Sequence, residues 1–346
     1  MSGPPSLHER VAVLLERTRL LEAALRARRY APFPNLTIVT FHRLAEPADD
    51  EPYDPDVIDA TQAQFRRHVE AIARFATPID VETLVRSLDG GPLPPNPAMI
   101  TFDDGYRSCR DIALPILREL GVPATFFIAT AFASQRMLYW WEKIAAIVRL
   151  ARGRRARVCY PRPLVIDTRH ATAARRLLDD TIKNTHDLDI ERFLGEVCTA
   201  LEVPWSADLE AGLARGLVMS WDDVRALAAA GMDVESHTRT HRVLDTLSPA
   251  ALVDELAGSR ADLERQLGRP VRAIAYPVGR RPPIAIRHAA AEAGYRVGLT
   301  NASGVNRGPA WLLDAFDISR LSTERSQSDA MFLAQLAIPQ LAFVNI

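Results

Sequence analysis

The strongest constraint on the fold is a regular alternation of short apolar segments and amphipathic helical segments. The stretches NLTIVTFHR (35–43), AMITFDD (98–104) and GVPATFFIAT (121–130) predict buried strands, because they are apolar and rich in β-branched or aromatic residues. Helical patterns lie between them, and after residue 217 the alternation resumes with MDVESHT, VRAIAYPVG and YRVGLT as strands. Repeated strand–helix units imply a parallel sheet covered by helices, either a closed barrel or a doubly wound sheet.

A change in the sequence pattern between about 142 and 217 indicates an insertion. This part begins with the basic stretch RLARGRRARV and continues with helical patterns that carry no strand signal. We therefore expect one catalytic domain over 31–346 with a mostly helical insertion at about 142–217. Residues 1–30 are expected to form a separate N-terminal amphipathic helix, because apolar positions recur at helical spacing over 7–29.

The overall composition is that of an ordinary soluble protein. The chain is 48% hydrophobic and 25% charged with a net charge of −1, so no global charge attracts nucleic acid or a membrane. Its three cysteines are far apart, which argues against a disulfide framework and fits a reducing compartment. The N-terminus lacks the uninterrupted apolar run of a signal peptide, and no run is long enough to span a bilayer. We expect a cytoplasmic protein without a transmembrane segment or a nucleic-acid partner; the oligomeric state stays open.

Two histidines in SHTRTH (236–241) have the spacing of a metal site. His237 and His241 are four residues apart, which places two imidazoles on one face of a helical turn. With one carboxylate they would form the facial ligand set that Zn²⁺ or Fe²⁺ accepts. Thr238 stands where the H-E-x-x-H motif has its general-base glutamate, so a base must come from elsewhere.

The doubled aspartate of ITFDDGYR can supply both the missing ligand and the base. If Asp104 ligates a metal, the repulsion between the two carboxylates is relieved and Asp103 can stay ionised beside the site. Gly105 permits the sharp turn that lets two successive side chains converge at a strand end. The alternative for an isolated Asp-Asp-Gly is a solvated turn. The histidine pair at a later strand end favours the site.

Three motifs taken together resemble the polysaccharide deacetylases, the NodB-homology or carbohydrate esterase family 4 enzymes. They are TFDDGY (101–106), SHTRTH (236–241) and AYPVG (275–279), and they occur in the order of that family. The resemblance implies a distorted (β/α) barrel of about seven parallel strands. It also implies metal-dependent removal of N-acetyl groups from an amino sugar or polysaccharide, with Zn²⁺ as the first candidate and Co²⁺, Ni²⁺ or Fe²⁺ as alternatives.

Residue by residue, the resemblance implies a complete hydrolytic site. Asp104, His237 and His241 match the metal ligands, and Asp103 matches the general base. The loop at Tyr276 would help to stabilise the oxyanion through a backbone N–H. Tyr106 of the first motif is a further candidate for substrate or oxyanion binding.

The sequence departs from the family pattern at two points. Many members take their general acid from a histidine near the C-terminus, whereas this chain has none after His288. His42 in VTFHR is the expected substitute, because a branch of the family that acts on poly-N-acetylglucosamine uses a histidine there; a structural histidine is the alternative. Ala275 stands where other members have an arginine that holds the base, and Arg320 in ISRL is the candidate replacement.

Other readings of the same residues remain at this point. The metal site could act on a cyclic amide or ureide, or the chain could bind carbohydrate without turnover. The aromatic cluster Tyr139-Trp140-Trp141 could stack on a sugar or pack under the insertion, and the Arg-rich RGRRAR could meet a phosphate or form a solvated face.

Overall fold

The computed structural model describes residues 7–30, 35–46 and 52–338. Seven strands form its centre: β1 (Thr37–Phe41), β5 (Pro97–Phe102), β6 (Thr125–Ile128), β9 (Asp233–Ser236), β10 (Ala273–Ala275), β11 (Val297–Ser303) and β12 (Ile318–Ser322). They pair in parallel in the order β1–β12–β11–β10–β9–β6–β5, and β5 pairs back with β1. The seven-stranded barrel expected from the resemblance is confirmed.

Five short strands lie outside this ring: β2 (Arg43–Leu44), β3 (Ile58–Ala60), β4 (Thr77–Pro78), β7 (Arg155–Val158) and β8 (Leu164–Asp167). The strand β4 pairs with the first two residues of β5, whereas β6 pairs with its last two. Because β1 occupies the opposite edge of β5, β4 and β6 lie along the same edge of β5, β4 beside its start and β6 beside its end. The barrel is distorted at this point.

Helices cover the outside of the barrel. They are α1 (Leu7–Arg17), α2 (Leu20–Ala27), α3 (Gln62–Phe75), α4 (Val81–Leu88), α5 (Leu114–Leu120), α6 (Thr130–Gln135), α7 (Trp140–Leu150), α8 (Ala171–Asn184), α9 (Ile190–Ala200), α10 (Ala207–Leu217), α11 (Trp221–Ala229), α12 (Pro249–Val253), α13 (Ser259–Leu267), α14 (Ile284–Glu292) and α15 (Asp329–Ala337). Their apolar sides join one large core with the outer faces of the strands, except that Val81, Leu84 and Val85 of α4 join a second, smaller cluster. No helix of the described residues is long and apolar enough to cross a membrane.

The region from α7 to α10 contains a β-hairpin that the sequence pattern did not predict. The strands β7 and β8 pair antiparallel ahead of α8. Exposed Arg155 and Arg157 alternate with less exposed residues in β7, so half of the strand is solvated and its sequence shows only a run of charge. The rest of this region is helical.

The N-terminal segment forms two helices instead of the single helix expected over 7–29. The chain breaks between α1 and α2, where Arg19 takes a left-handed conformation with φ 60°. The hydroxyl of Thr18 donates to the carbonyl oxygens of Leu14 and Leu15, both at 3.0 Å, and closes the end of α1. Both helices pack against α15. Residues 1–6, 31–34, 47–51 and 339–346 of the predicted segments lie outside the described residues.

Candidate active site

The interior of the barrel changes from apolar to polar along its axis. Side chains alternate along a strand, so Met99, Thr101 and Asp103 follow one another on the inner face of β5 and its end. At the apolar end Met99 joins a cluster that includes Phe127 of β6. One step up, the hydroxyl of Thr101 lies 2.9 Å from that of Thr40. The row ends in the carboxylate of Asp103, at the carboxyl ends of the strands, where parallel barrels bind ligands.

Asp104, His237 and His241 converge at this end of the barrel. The Oδ1 of Asp104 lies 3.3 Å from Nε2 of His237 and 3.4 Å from Nε2 of His241. One ligand atom from each residue lies within 4.8 Å of the others. The fold therefore brings together the three residues that the sequence predicts as a ligand set.

The donor atoms of this set fit a divalent cation. Asp104 Oδ1 and His237 Nε2 are buried and have no hydrogen-bond partner among the described residues. The other nitrogen of His237, Nδ1, lies 2.8 Å from the carbonyl oxygen of Ala275 and donates to it. That bond fixes the tautomer with a lone pair on Nε2, the arrangement found in histidines that bind metals.

The backbone is strained where it presents these ligands. Asp104 has φ 71° and His241 has φ 53°, both in the left-handed region that side chains other than glycine rarely adopt. Gly105 follows with φ 104°, so the turn after β5 requires a glycine there. Left-handed residues of this kind cluster at functional sites, where the surrounding structure enforces them.

Asp103 is held by Arg320 of β12. Nη1 and Nη2 of the guanidinium donate to the two carboxylate oxygens, each at 2.7 Å, and both side chains are fully buried. Burial by itself would raise the pKa of Asp103, but the charge and the hydrogen bonds of Arg320 lower it well below its ordinary value. Asn301 adds a weaker contact to Oδ2 at 3.4 Å. Asp103 is therefore a carboxylate fixed in orientation and in charge.

His42 lies on the other side of Asp103, paired with Asp59. Its Nδ1 is 2.9 Å from Oδ2 of Asp59, and its Nε2 is 4.0 Å from Oδ2 of Asp103. Burial disfavours the imidazolium, but the charge and hydrogen bond of Asp59, together with Asp104 and Asp103, raise the pKa of His42 to about 10. These carboxylates thus favour the imidazolium form of His42. Sequence reasoning missed Asp59, which is the middle residue of the short strand β3 and belongs to no motif.

The two candidate tyrosines lie away from the cavity. Tyr106 is buried, donates to Oε1 of Glu142 at 2.8 Å and accepts from Nε1 of Trp141 at 2.7 Å. Tyr276 is buried against Gly298, and its backbone N–H donates to the carbonyl oxygen of Leu299 at 2.9 Å. Neither hydroxyl faces the ligand set, so the geometry favours structural roles for both.

A cavity of about 390 Å³ opens over these residues. Its floor holds His42, Asp104 and His241, and its walls come from several loops and from the region that follows α7: Asp54, Asp56, Asp59, Trp140, Trp141, Asp179, Lys183, Val278, Gly279, Asn301 and Ser322. Trp140 and Trp141 are only 4% and 8% exposed, so they both pack in the core and form part of the wall. Asp179 and Lys183 had no signal in the sequence. A larger cavity of about 840 Å³ beside α8 contains none of the site residues.

Comparison with known proteins identifies the family. The family model for polysaccharide deacetylases matches residues 90–157 and 171–298, more than half of the chain. The protein YxkH of Bacillus subtilis (strain 168), named as a polysaccharide deacetylase, is 31% identical over 83 residues. That match covers 24% of this chain and 29% of YxkH, less than a third of either.

Solved structures share the fold at low sequence identity. The deacetylase PplD of Streptococcus pyogenes, solved in complex with acetate, superposes with a TM-score of 0.58 at 17% identity, covering 89% of this chain and 100% of PplD. IcaB from Ammonifex degensii gives 0.53 at 18% identity, with coverage of 89% and 97%. The matched family model, together with the barrel and its motifs, places this chain in the polysaccharide deacetylase family.

Proposed function

We propose that this protein is a divalent-metal-dependent hydrolase that removes N-acetyl groups from an amino sugar or polysaccharide. The observation that carries the proposal is an oriented carboxylate, Asp103, beside an Asp–His–His set of which Asp104 and His241 line a cavity. A divalent cation held by Asp104, His237 and His241 would supply a Lewis acid that polarises the amide carbonyl and acidifies water. Zn²⁺ is the first candidate, with Co²⁺, Ni²⁺ and Fe²⁺ as alternatives.

Asp103 is the proposed general base. Because Arg320 keeps the carboxylate ionised and holds both of its oxygens in place, Asp103 can accept the proton of the attacking water without reorientation. The same ion pair makes Asp103 a weak base on its own. Asp103 therefore needs a water whose pKa has been lowered by a bound cation.

His42 is the proposed general acid. The imidazolium carries a proton near neutral pH because Asp59 stabilises its charge, and Nε2 points toward Asp103 at 4.0 Å. Base and acid thus follow the neighbouring strands β5 and β1, and the leaving amine can take its proton from Nε2 of His42, which lines the cavity.

The loop after β10 would stabilise the oxyanion. The backbone N–H of Tyr276 already donates to the carbonyl oxygen of Leu299. The proposed oxyanion donors are therefore the backbone N–H groups of Val278 or Gly279, which line the cavity. Val278 has φ 66°, a conformation that turns the loop backbone sharply at this point.

Several observations favour turnover over a carbohydrate-binding protein without activity. The main support for an inactive homologue was the missing C-terminal histidine, and His42 occupies a position from which it can serve as the acid. Acetate, the product of deacetylation, is bound in the PplD structure named above. No observation favours a cyclic amide over an N-acetyl sugar.

The test is acetate release from N-acetylglucosamine oligomers by metal-stripped protein, before and after addition of Zn²⁺ or Co²⁺. Metal content is measured in the same samples. We expect activity only in the metal-loaded protein and its loss in Asp103→Asn, which should still bind metal. Activity that survives both chelation and Asp103→Asn contradicts the mechanism, and the absence of any hydrolysis by the loaded protein contradicts the proposed function.

A further inference from the structure

One face of α8 lines the cavity but takes no part in the chemistry described above. Asp179 and Lys183 are four residues apart on this helix, so their side chains project from the same face. The Oδ2 of Asp179 lies 3.9 Å from Nζ of Lys183, too far for a direct hydrogen bond. The pair faces the cavity over the metal-ligand set.

Asp179 differs from the other acids of the cavity wall in having no hydrogen-bond donor. Asp54 accepts from Arg175 and from the backbone N–H of Asp56, Asp59 accepts from His42, and Asp104 belongs to the ligand set. Within the described part of the chain no donor reaches either oxygen of Asp179, and its Oδ1 is buried without a partner.

Partial burial makes the lack of a hydrogen-bond donor to Asp179 unfavourable in free energy. Its side chain is only 24% exposed, and burial raises the pKa of the carboxyl group to about 6, opposed by Lys183. A half-buried carboxylate without a donor loses the hydration that it would have in water. A ligand that brings a donor to Oδ2 would restore part of that free energy.

Lys183 is connected to the metal-ligand loop through Trp140. Its Nζ lies 5.7 Å from the centre of the indole ring, within range of a cation–π contact. Nε1 of Trp140 donates to the carbonyl oxygen of His241 at 3.3 Å. The α8 pair therefore has a fixed position relative to the proposed reacting centre.

We propose that Asp179 and Lys183 form a sugar-binding subsite. The carboxylate accepts a hydrogen bond from one ring hydroxyl, the ammonium donates to a neighbouring oxygen of the same sugar, and the pair spans the 3.9 Å gap through the ligand. The indoles of Trp140 and Trp141 supply apolar wall beside it. This inference rests on the proposed function, since it names residues that hold the substrate of that same site.

The subsite predicts a change in KM with little change in kcat. Loss of a hydrogen bond to a charged group raises KM about tenfold or more when the group acts equally in ground and transition states. We expect Asp179→Ala to give the largest increase, Asp179→Asn a smaller one because the amide still accepts, and Lys183→Met an increase of the same order. The increase in KM of the double variant should be smaller than the product of the two single increases, because both contacts hold one sugar.

The experiment measures KM and kcat of metal-loaded protein on N-acetylglucosamine oligomers. Asp180→Asn is the matched control, because Asp180 is the next residue of α8 and is exposed away from the cavity. Metal content is measured in every variant and should equal that of the unsubstituted protein. A rise in KM in the α8 variants with kcat and metal content retained supports the subsite.

Two results overturn the subsite while the proposed function stands: KM unchanged in Asp179→Ala and Lys183→Met, or a fall in kcat with KM unchanged. If the loaded protein hydrolyses no N-acetylated sugar, the proposed function fails. The subsite is then judged by direct binding of N-acetylglucosamine oligomers. Binding that Asp179→Ala weakens and Asp180→Asn does not weaken supports it, whereas the absence of binding or equal binding by both overturns it.

Discussion

The mouth of the barrel and the α8 wall that faces it are built in opposite ways. At the mouth, Asp103 and Arg320 are fully buried and joined by two short hydrogen bonds. On the wall, Asp179 and Lys183 are partly exposed and share only a long ion pair. Proton transfer needs groups that do not move, whereas binding needs groups whose partners the ligand can replace. The comparison fits the proposed division of roles, with chemistry at the barrel and substrate binding in the region around α8.

The largest effect should come from the base at the mouth. We expect Asp103→Asn to lower kcat by about 10² to 10⁴-fold, because the amide cannot accept the proton of the attacking water. The measurement is the rate of acetate release from metal-loaded protein, with metal content as the control. A loss smaller than tenfold would show that the base lies elsewhere.

Loss of Arg320, which holds Asp103, should have the second-largest effect, and mainly on stability. Arg320→Met leaves Asp103 as a buried charge without its partner, which typically costs about 3 to 5 kcal/mol of unfolding free energy. It should also raise the pKa of Asp103, because the guanidinium charge that lowers this pKa is gone. Chemical denaturation followed by circular dichroism measures the change.

Arg296→Met is the matched control for that substitution. Arg296 also pairs with a carboxylate, Asp89, at 2.8 Å and 3.0 Å, but both side chains are more than half exposed. Exposed pairs contribute little, about 0 to 1 kcal/mol. Equal losses in the two variants would refute the distinction between the buried and the exposed pair.

A buried acid outside both regions should give a smaller effect. Glu142 of α7 is buried and accepts from the backbone N–H of Asp54 at 2.6 Å and from the hydroxyl of Tyr106 at 2.8 Å. Glu142→Gln replaces one acceptor by a donor, so we expect a loss of about 1 to 3 kcal/mol.

The pH dependence of that loss checks its cause. Burial raises the pKa of Glu142 to about 7, opposed by the two hydrogen bonds. A raised carboxyl pKa means that the folded state holds the proton more strongly, so the stability that it contributes decreases as the pH rises through about 7. The difference in unfolding free energy between the unsubstituted protein and Glu142→Gln should therefore shrink over that range. A constant difference would contradict this reading.

The smallest effect is expected far from both regions. Arg19 occupies a left-handed position between α1 and α2, where a side chain costs about 1 kcal/mol relative to glycine. Arg19→Gly should raise the unfolding free energy slightly, by up to about 1 kcal/mol, and leave acetate release unchanged. A clear loss of stability would show that the arginine makes contacts that outweigh its backbone strain.

The barrel and the ligand set could be predicted because both leave periodic or local signals. Buried parallel strands are apolar throughout, and the two acids and two histidines occur as short motifs at strand ends. The strand β12 was not predicted, because its interior position is the charged Arg320, which interrupts the apolar pattern. Its pairing with Asp103 depends on closure of the ring, which only tertiary structure shows.

The residues that sequence reasoning missed share a physical cause. Asp59 is the middle residue of a three-residue strand, and Asp179 lies on an amphipathic helix among several other charges. Nothing local distinguishes them from solvated acids. Their importance comes from burial and from what lies opposite: His42 for Asp59, and an open cavity for Asp179.

The position of Arg320 has a consequence for how the protein is made. Asp103 leaves the ribosome more than two hundred residues before its guanidinium partner, which lies on the last strand of the ring. Until β12 has been synthesised and inserted between β1 and β11, a growing chain carries Asp103 without the guanidinium that holds it in the folded barrel. The candidate site can therefore be completed only after nearly all of the chain has been synthesised.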